Sequence, residues 1–101
     1  MARFDLYRVS SRRIPLMVDV QAEILGDLAS RIVIPLRVLE QAEEPPLPRL
    51  KPVLMIGDQT YLLLTTDMGA QPVHWLGKPV GNIKAHRDEI TSAMDFLFQG
   101  F

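Results

Sequence analysis

The sequence predicts a mainly β fold closed by one C-terminal α-helix, and three observations predict it. Much of the chain before residue 77 alternates apolar and polar residues with a period of two, most clearly over residues 14–20. Clusters of turn-forming residues interrupt these runs, at residues 10–13 and again at Gly57-Asp58-Gln59. Near residue 86 the period changes to that of a helix. A chain of 101 residues can build one hydrophobic core and has too little interior to divide it, so a single domain over residues 1–101 is expected, folded as a small barrel-like sheet.

Each element follows in order. Residues 3–9 set Phe4 and Leu6 against Arg3 and Asp5, and residues 14–20 set Ile14, Leu16, Val18 and Val20 against Met17 and Asp19, so the two read as a hairpin. Residues 21–30 are mixed and contain Gly26 and Asp27; they read as a loop, which leaves Ile24 and Leu25 without an evident core to enter. Residues 31–39 are rich in Ile, Val and Leu. Pro35 among them has no N–H for a ladder, so an edge, a bulge or a strand switch is expected there in place of a regular central strand.

Residues 40–48 gather Glu43, Glu44, Pro45, Pro46 and Pro48, and a projecting, mobile excursion is expected. Residues 52–56 and 60–66 flank Gly57-Asp58-Gln59, where glycine can take the positive φ of a tight hairpin turn. Residues 71–76 read as one more short strand. The helix is expected over residues 86–98, with Ile90, Ala93, Met94, Leu97 and Phe98 forming its apolar stripe. Asp88 and Glu89 suit the positive end of its dipole, and Gly100 suits a left-handed cap.

Composition excludes several function classes. Lys+Arg 11 against Asp+Glu 12 leaves a formal charge of -1, too little field to hold a polyanion by charge alone. The absence of Cys removes disulfides, thiolate zinc sites and cysteine nucleophiles together and fits a reducing compartment. No apolar run approaches the roughly 20 residues of a membrane span, and the first residues are charged where a secretory signal is apolar. A cytoplasmic protein with no membrane partner is expected.

Catalytic signals are weak. The carboxylates Asp5, Asp19, Asp58, Asp67, Asp88 and Asp95 are scattered, and spacing selects no acid–base pair. Thr65-Thr66-Asp67 could orient a water, and equally reads as the end of a strand. His74 and His86 fall on different elements without metal-ligand spacing. A ribonuclease could be assembled from either histidine with Arg31 and Asp67, given a geometry that spacing does not supply. Nucleotide-loop, nucleophile-elbow and zinc-helix motifs are absent. Neither a metal nor a cofactor is expected.

The C-terminus is more informative. Phe96, Phe98 and Phe101 bring three of the four Phe residues into the last six positions, where chain ends are ordinarily polar and frayed. Such a tail either tucks into its own core or forms a surface for another chain.

Several blocks carry a family resemblance: Val18-Asp19-Val20-Gln21, Val33-Ile34-Pro35-Leu36, Ile56-Gly57-Asp58, Thr65-Thr66-Asp67-Met68 and the ending Phe98-Gln99-Gly100-Phe101. In this order, and over essentially the whole chain, they resemble the CcdB toxins of bacterial toxin–antitoxin modules. The resemblance implies a small SH3-like barrel or antiparallel sheet with a C-terminal helix, of the type shared with the Kid and MazF toxins. It also implies a homodimer that is not an enzyme, and that poisons DNA gyrase by binding its A subunit and trapping the cleaved-DNA complex.

A CcdA-like antitoxin would neutralise it. The pair would repress its own operon, touching operator DNA only through the antitoxin complex, in the manner of a plasmid-maintenance module. The family's gyrase-contacting positions fall here on Ile24, Leu25, Asp95, Phe98, Gln99, Gly100 and Phe101. Its antitoxin-facing positions fall on the first hairpin, at Arg8, Arg12, Arg13 and Ile14, and on the proline-rich excursion, at Gln41, Ala42, Pro45 and Pro46.

The tail departs from the family's Trp-Gly-Ile ending. Gln99 offers no π-face, and loss of a hot-spot tryptophan predicts binding weaker by about 2 kcal/mol, roughly thirtyfold, for each copy. The alternatives carried forward are a non-toxic homologue that keeps only dimerisation and antitoxin binding, and a Kid- or MazF-type endoribonuclease.

Overall fold

The computed structural model describes residues 2–11 and 13–100. Arg12 and Phe101, both named above as contact residues, lie outside the described residues.

The chain forms a curled antiparallel half-barrel with one C-terminal helix. Its strands are β1 (Asp5–Arg8), β2 (Leu16–Asp19), β3 (Ser30–Val38), β4 (Val53–Ile56), β5 (Gln59–Leu63), β6 (Gly69–Pro72) and β7 (Gly81–Asn82). They run in the order β4-β5-β3-β2-β1-β7, with β6 beside the first half of β3. A single helical turn, α1 (Val73–Leu76), follows β6, and α2 (Arg87–Gln99) follows a 3₁₀ turn at Lys84–His86. None of the described helices is long and apolar enough to cross a membrane.

The period-two pattern sorts side chains between two faces. Leu6, Leu16, Val18, Val20, Ile34, Leu36, Leu54 and Leu63 line the inner face and pack against Ile90 and Ala93 of α2. On the other face Tyr7, Met17 and Val33 pack under Leu76 of α1. Residues 71–76 were expected to be a strand, and only Gln71 and Pro72 belong to one; the remainder coils into α1 and covers this second face. An apolar run of that length suits strand and helix alike, and the uncovered face decides between them.

The first hairpin is shorter than its sequence pattern. Phe4 takes a φ of 71°, so the extended run begins only at Asp5. Its conformation is held by donation from the Phe4 N–H to the Asp19 carbonyl at 2.6 Å and by burial of its ring.

Pro35 lies inside a central strand after all, at the strand switch that its chemistry requires. Ser30 to Val33 of β3 pair with β6, while Leu36 to Val38 pair with β5. The Pro35 carbonyl accepts from the Leu64 N–H at 3.0 Å. N–H and C=O of one extended residue point the same way, so the missing donor falls where β3 changes partners and the ladder to β2 loses nothing.

Two glycines do what was expected. Gly57 opens the β4–β5 turn with φ 63°, and Gly100 caps α2 in the left-handed region, its N–H donating to the Phe96 carbonyl at 2.9 Å. At the other end of α2, His86 faces an acceptor with each ring nitrogen: Glu89 Oε1 at 2.9 Å and the carbonyl of Met55 on edge strand β4 at 3.0 Å. Helix and sheet edge are thereby tied.

Candidate functional site

Two strongly exposed apolar groups meet on one surface. Residues 22–29 form a loop whose 3₁₀ turn, Glu23–Leu25, raises Ile24 into solvent at 92% exposure. At the far end of α2 the apolar stripe emerges from the core: Ile90 and Ala93 are buried, Met94 is half-buried, and Phe98 is 70% exposed. Between them lies an apolar hollow of about 790 Å³ lined by Leu25, Leu28, Ile32, Met68, Met94 and Phe98, among others.

Of the residues expected at this tip, Leu25 and Phe98 share the hollow, and Ile24 stands on the same loop as Leu25. Gln99 and Gly100 end the helix beside Phe98 and are exposed. Asp95 lies elsewhere. It lines a separate groove with Pro48, Arg49, Asp88, Glu89 and Ser92, on the next stripe of α2. Phe96, off the main stripe, is half-buried beneath the Arg49 guanidinium, 4.3 Å from its ring centroid. Leu28, Met68 and Met94 were missed as surface residues because their sequence signal is ordinary hydrophobicity; only the curl of the sheet leaves them open.

A second surface joins the first hairpin to the proline-rich segment. The exposed Arg13 guanidinium pairs with Glu43 at 3.3 Å, and the Arg37 Nε donates to the Arg13 carbonyl at 3.2 Å. Glu44 in turn receives Lys51 at 2.9 Å and Arg37 at 3.7 Å. Leu47 and Lys51 exchange backbone hydrogen bonds. The excursion is therefore pinned at both ends, where the sequence suggested free projection. Arg8, Gln41, Pro45 and Pro46 are exposed on these segments, and Ile14 and Ala42 are half-buried.

The groups considered for a ribonuclease are engaged elsewhere. Arg31 is fully buried, its Nε donating to Asp19 Oδ2 at 2.7 Å. Asp67 is exposed on a 3₁₀ turn, while Thr65 beside it is buried. His74 stacks edge-on against Trp75, which is 71% exposed, and both ring nitrogens of His86 are engaged as described above. Among the described residues the ribonuclease set is thus not assembled, since its cation is sealed in the interior, while of the six scattered carboxylates Asp88 and Asp95 share the groove beside α2.

Beneath the loop sits a buried polar network. The Asp19 carboxylate accepts from Arg31 Nε and from the Gln21 backbone N–H at 2.9 Å. The Gln21 side chain accepts from the Ile32 N–H at 3.1 Å and donates to the Leu25 carbonyl at 2.8 Å. Tyr7 lies close enough to feel these charges. Its phenol is raised above the ordinary 10.0, first by burial, then by the Asp5 and Asp19 carboxylates, with Arg31 opposing.

Comparison with known families matches residues 3–100 to the family described as CcdB protein.

Proposed function

The chain belongs to the CcdB family, the toxins of bacterial toxin–antitoxin systems, and on that premise we propose that it grips the DNA gyrase A subunit and traps the cleaved-DNA complex. The observation that carries this reading is one open apolar hollow lined by Leu25 and Phe98, with Ile24 in solvent beside Leu25 on the loop that borders it. Exposed apolar groups of this size, clustered instead of scattered, are what a macromolecular grip requires. Gln99 and Gly100 end the helix beside Phe98; Asp95, in the separate groove, and Phe101, outside the described residues, join the grip on the family pattern alone.

The protein acts as a homodimer in the cytoplasm, as a single domain. A second copy of the same chain seated against the hollow leaves the loop tip at Ile24 and the helix end at Phe98 to Gly100 for gyrase, and isologous pairing doubles every contact made there. Mass in solution tests this: wild type is expected as a dimer at micromolar concentration, and Leu28→Asp, which sets a charge in the hollow, is expected to shift it to monomer. A monomeric wild type would remove the symmetric grip.

The CcdA-like antitoxin binds the joined surface of hairpin and proline-rich segment through Arg8, Arg12, Arg13, Ile14, Gln41, Ala42, Pro45 and Pro46. The ion pairs between Arg13 and Glu43 and between Arg37 and Glu44 support this reading, because they bring two distant stretches of chain into one binding face. The toxin inhibits a topoisomerase and is not itself a catalyst. It reaches operator DNA only within the antitoxin complex, and represses its own operon there.

Incubation of the purified protein with gyrase, ATP and supercoiled plasmid is expected to accumulate linear, protein-linked DNA. A second reading, a non-toxic homologue, is favoured by one observation: the tip carries Gln99 in an exposed position where a tryptophan would supply most of the grip. Antitoxin binding without any accumulation of cleaved DNA would move the conclusion to that reading.

A further inference from the structure

We propose that Gln21 is the positioning residue of the gripping loop, and that its side-chain amide holds the Leu25 carbonyl so that Ile24 and Leu25 are presented in a fixed attitude to an apolar pocket on the partner. The identity of the partner rests on the gyrase reading above; the positioning role does not.

Hydrophobic burial does not hold this loop. Residues 22 to 30 are all exposed, and none of them belongs to either core cluster. Hydrogen bonds inside the loop, from the Leu25, Gly26 and Leu28 amides to the Ala22, Glu23 and Leu25 carbonyls, set its shape. They leave its attitude to the sheet open. Its far end is tied by the Val73 N–H donating to the Ala29 carbonyl at 2.9 Å. At the tip, the anchor is the bond from Gln21 Nε2 to Leu25 O at 2.8 Å.

Gln21 is itself immobilised. The residue is buried, its Oε1 accepts from the Ile32 N–H in β3, and its backbone N–H is held by Asp19, which the buried Arg31 fixes in turn. One amide thus joins the sheet to an exposed turn, its oxygen held by Ile32 and its nitrogen by Leu25. Gly26 lies just above the same floor: a Cβ at that position would stand 3.6 Å from Arg31 Nη1. A grip held in its binding conformation before contact loses less entropy on association.

The test uses Gln21→Glu, which keeps the acceptor for Ile32 and exchanges the donor for a carboxylate oxygen. Near neutral pH, amide exchange at Leu25, Gly26 and Leu28 is expected to quicken about tenfold, and affinity for an isolated gyrase A fragment to fall about tenfold, the scale of one hydrogen bond. Core amides such as Val18 and Ile34 and antitoxin affinity should stay as in wild type. On acidification the introduced carboxyl regains a proton and with it a donor, so loop protection should recover in Gln21→Glu and not in Gln21→Met.

Loop exchange unchanged in both variants overturns the proposal. Should wild type fail to bind the fragment, the gyrase reading falls while the exchange data still decide the role of Gln21. If either variant melts early, the wild-type Gln21 side-chain amide protons decide it: slow exchange supports the anchor, and exchange at the rate of a free glutamine overturns it.

Discussion

Arg31 and Asp19 form an ion pair at 2.7 Å with both side chains wholly sealed from solvent, on the face of the sheet opposite α2. The two charges are not equally satisfied. Asp19 also receives the Gln21 N–H, whereas Arg31 Nη1 and Nη2 have no acceptor among the described residues. A buried guanidinium held by one bond is costly, and its partner becomes indispensable.

Arg31→Met is therefore expected to destabilise the fold by about 3–5 kcal/mol, because it strands the Asp19 carboxylate. Adding Asp19→Asn to it should recover part of that loss. Denaturant titration of both singles and the double closes the cycle, and additive losses would show that the pair is not coupled.

Alkaline stability should depend on Tyr7. Its phenol is raised in the folded state, so the unfolded chain ionises first. The stabilisation is fully present below pH 10.0 and is lost as pH climbs through the folded value. Tyr7→Phe should flatten this alkaline decline, and at neutral pH it should cost little, since the hydroxyl has no hydrogen-bond partner among the described residues. Melting temperatures across alkaline buffers check it; an equally steep decline in Tyr7→Phe would refute the assignment.

Gln99→Trp should strengthen gyrase binding. Gln99 is exposed beside Phe98 at the end of α2, where an indole can be accommodated without repacking. A gain of about 2 kcal/mol per copy, some thirtyfold, is expected in calorimetric titration of the gyrase A fragment, with more cleaved DNA in the plasmid assay. No gain would mean that the tip contacts gyrase elsewhere.

Arg13→Glu separates stability from partner binding. Its ion pair with Glu43 is exposed on both sides and contributes at most about 1 kcal/mol. Melting should thus scarcely move, while affinity for the antitoxin falls by about tenfold through charge reversal at the joined surface. Equal losses of stability and affinity would point to a structural role alone.

Local chemistry made much of this molecule readable before any fold was known. The alternation in residues 14–20 follows from the pleat, the stripe from Ile90 to Phe98 follows from helical pitch, and Gly57 and Gly100 follow from their freedom at positive φ. Each depends on neighbours in sequence. Pro35 shows the limit: its missing donor demanded an irregularity, but only the meeting of β5 and β6 along β3 says which.

What remained depended on residues far apart in the chain. Residues 73–76 coil because a sheet face needs covering; Asp19 finds Arg31, and Gln21 reaches both Leu25 and Ile32, because β2 and β3 run side by side. The family's contact positions pointed to Ile24, Leu25 and Phe98 as a group, yet the meeting of Leu25 and Phe98 on one hollow, and the turning of Asp95 into another groove, were decided by the curl of the sheet around α2. Periodicity is a property of one segment and is written in its sequence. A surface shared by several segments exists only once their backbones have been set against each other.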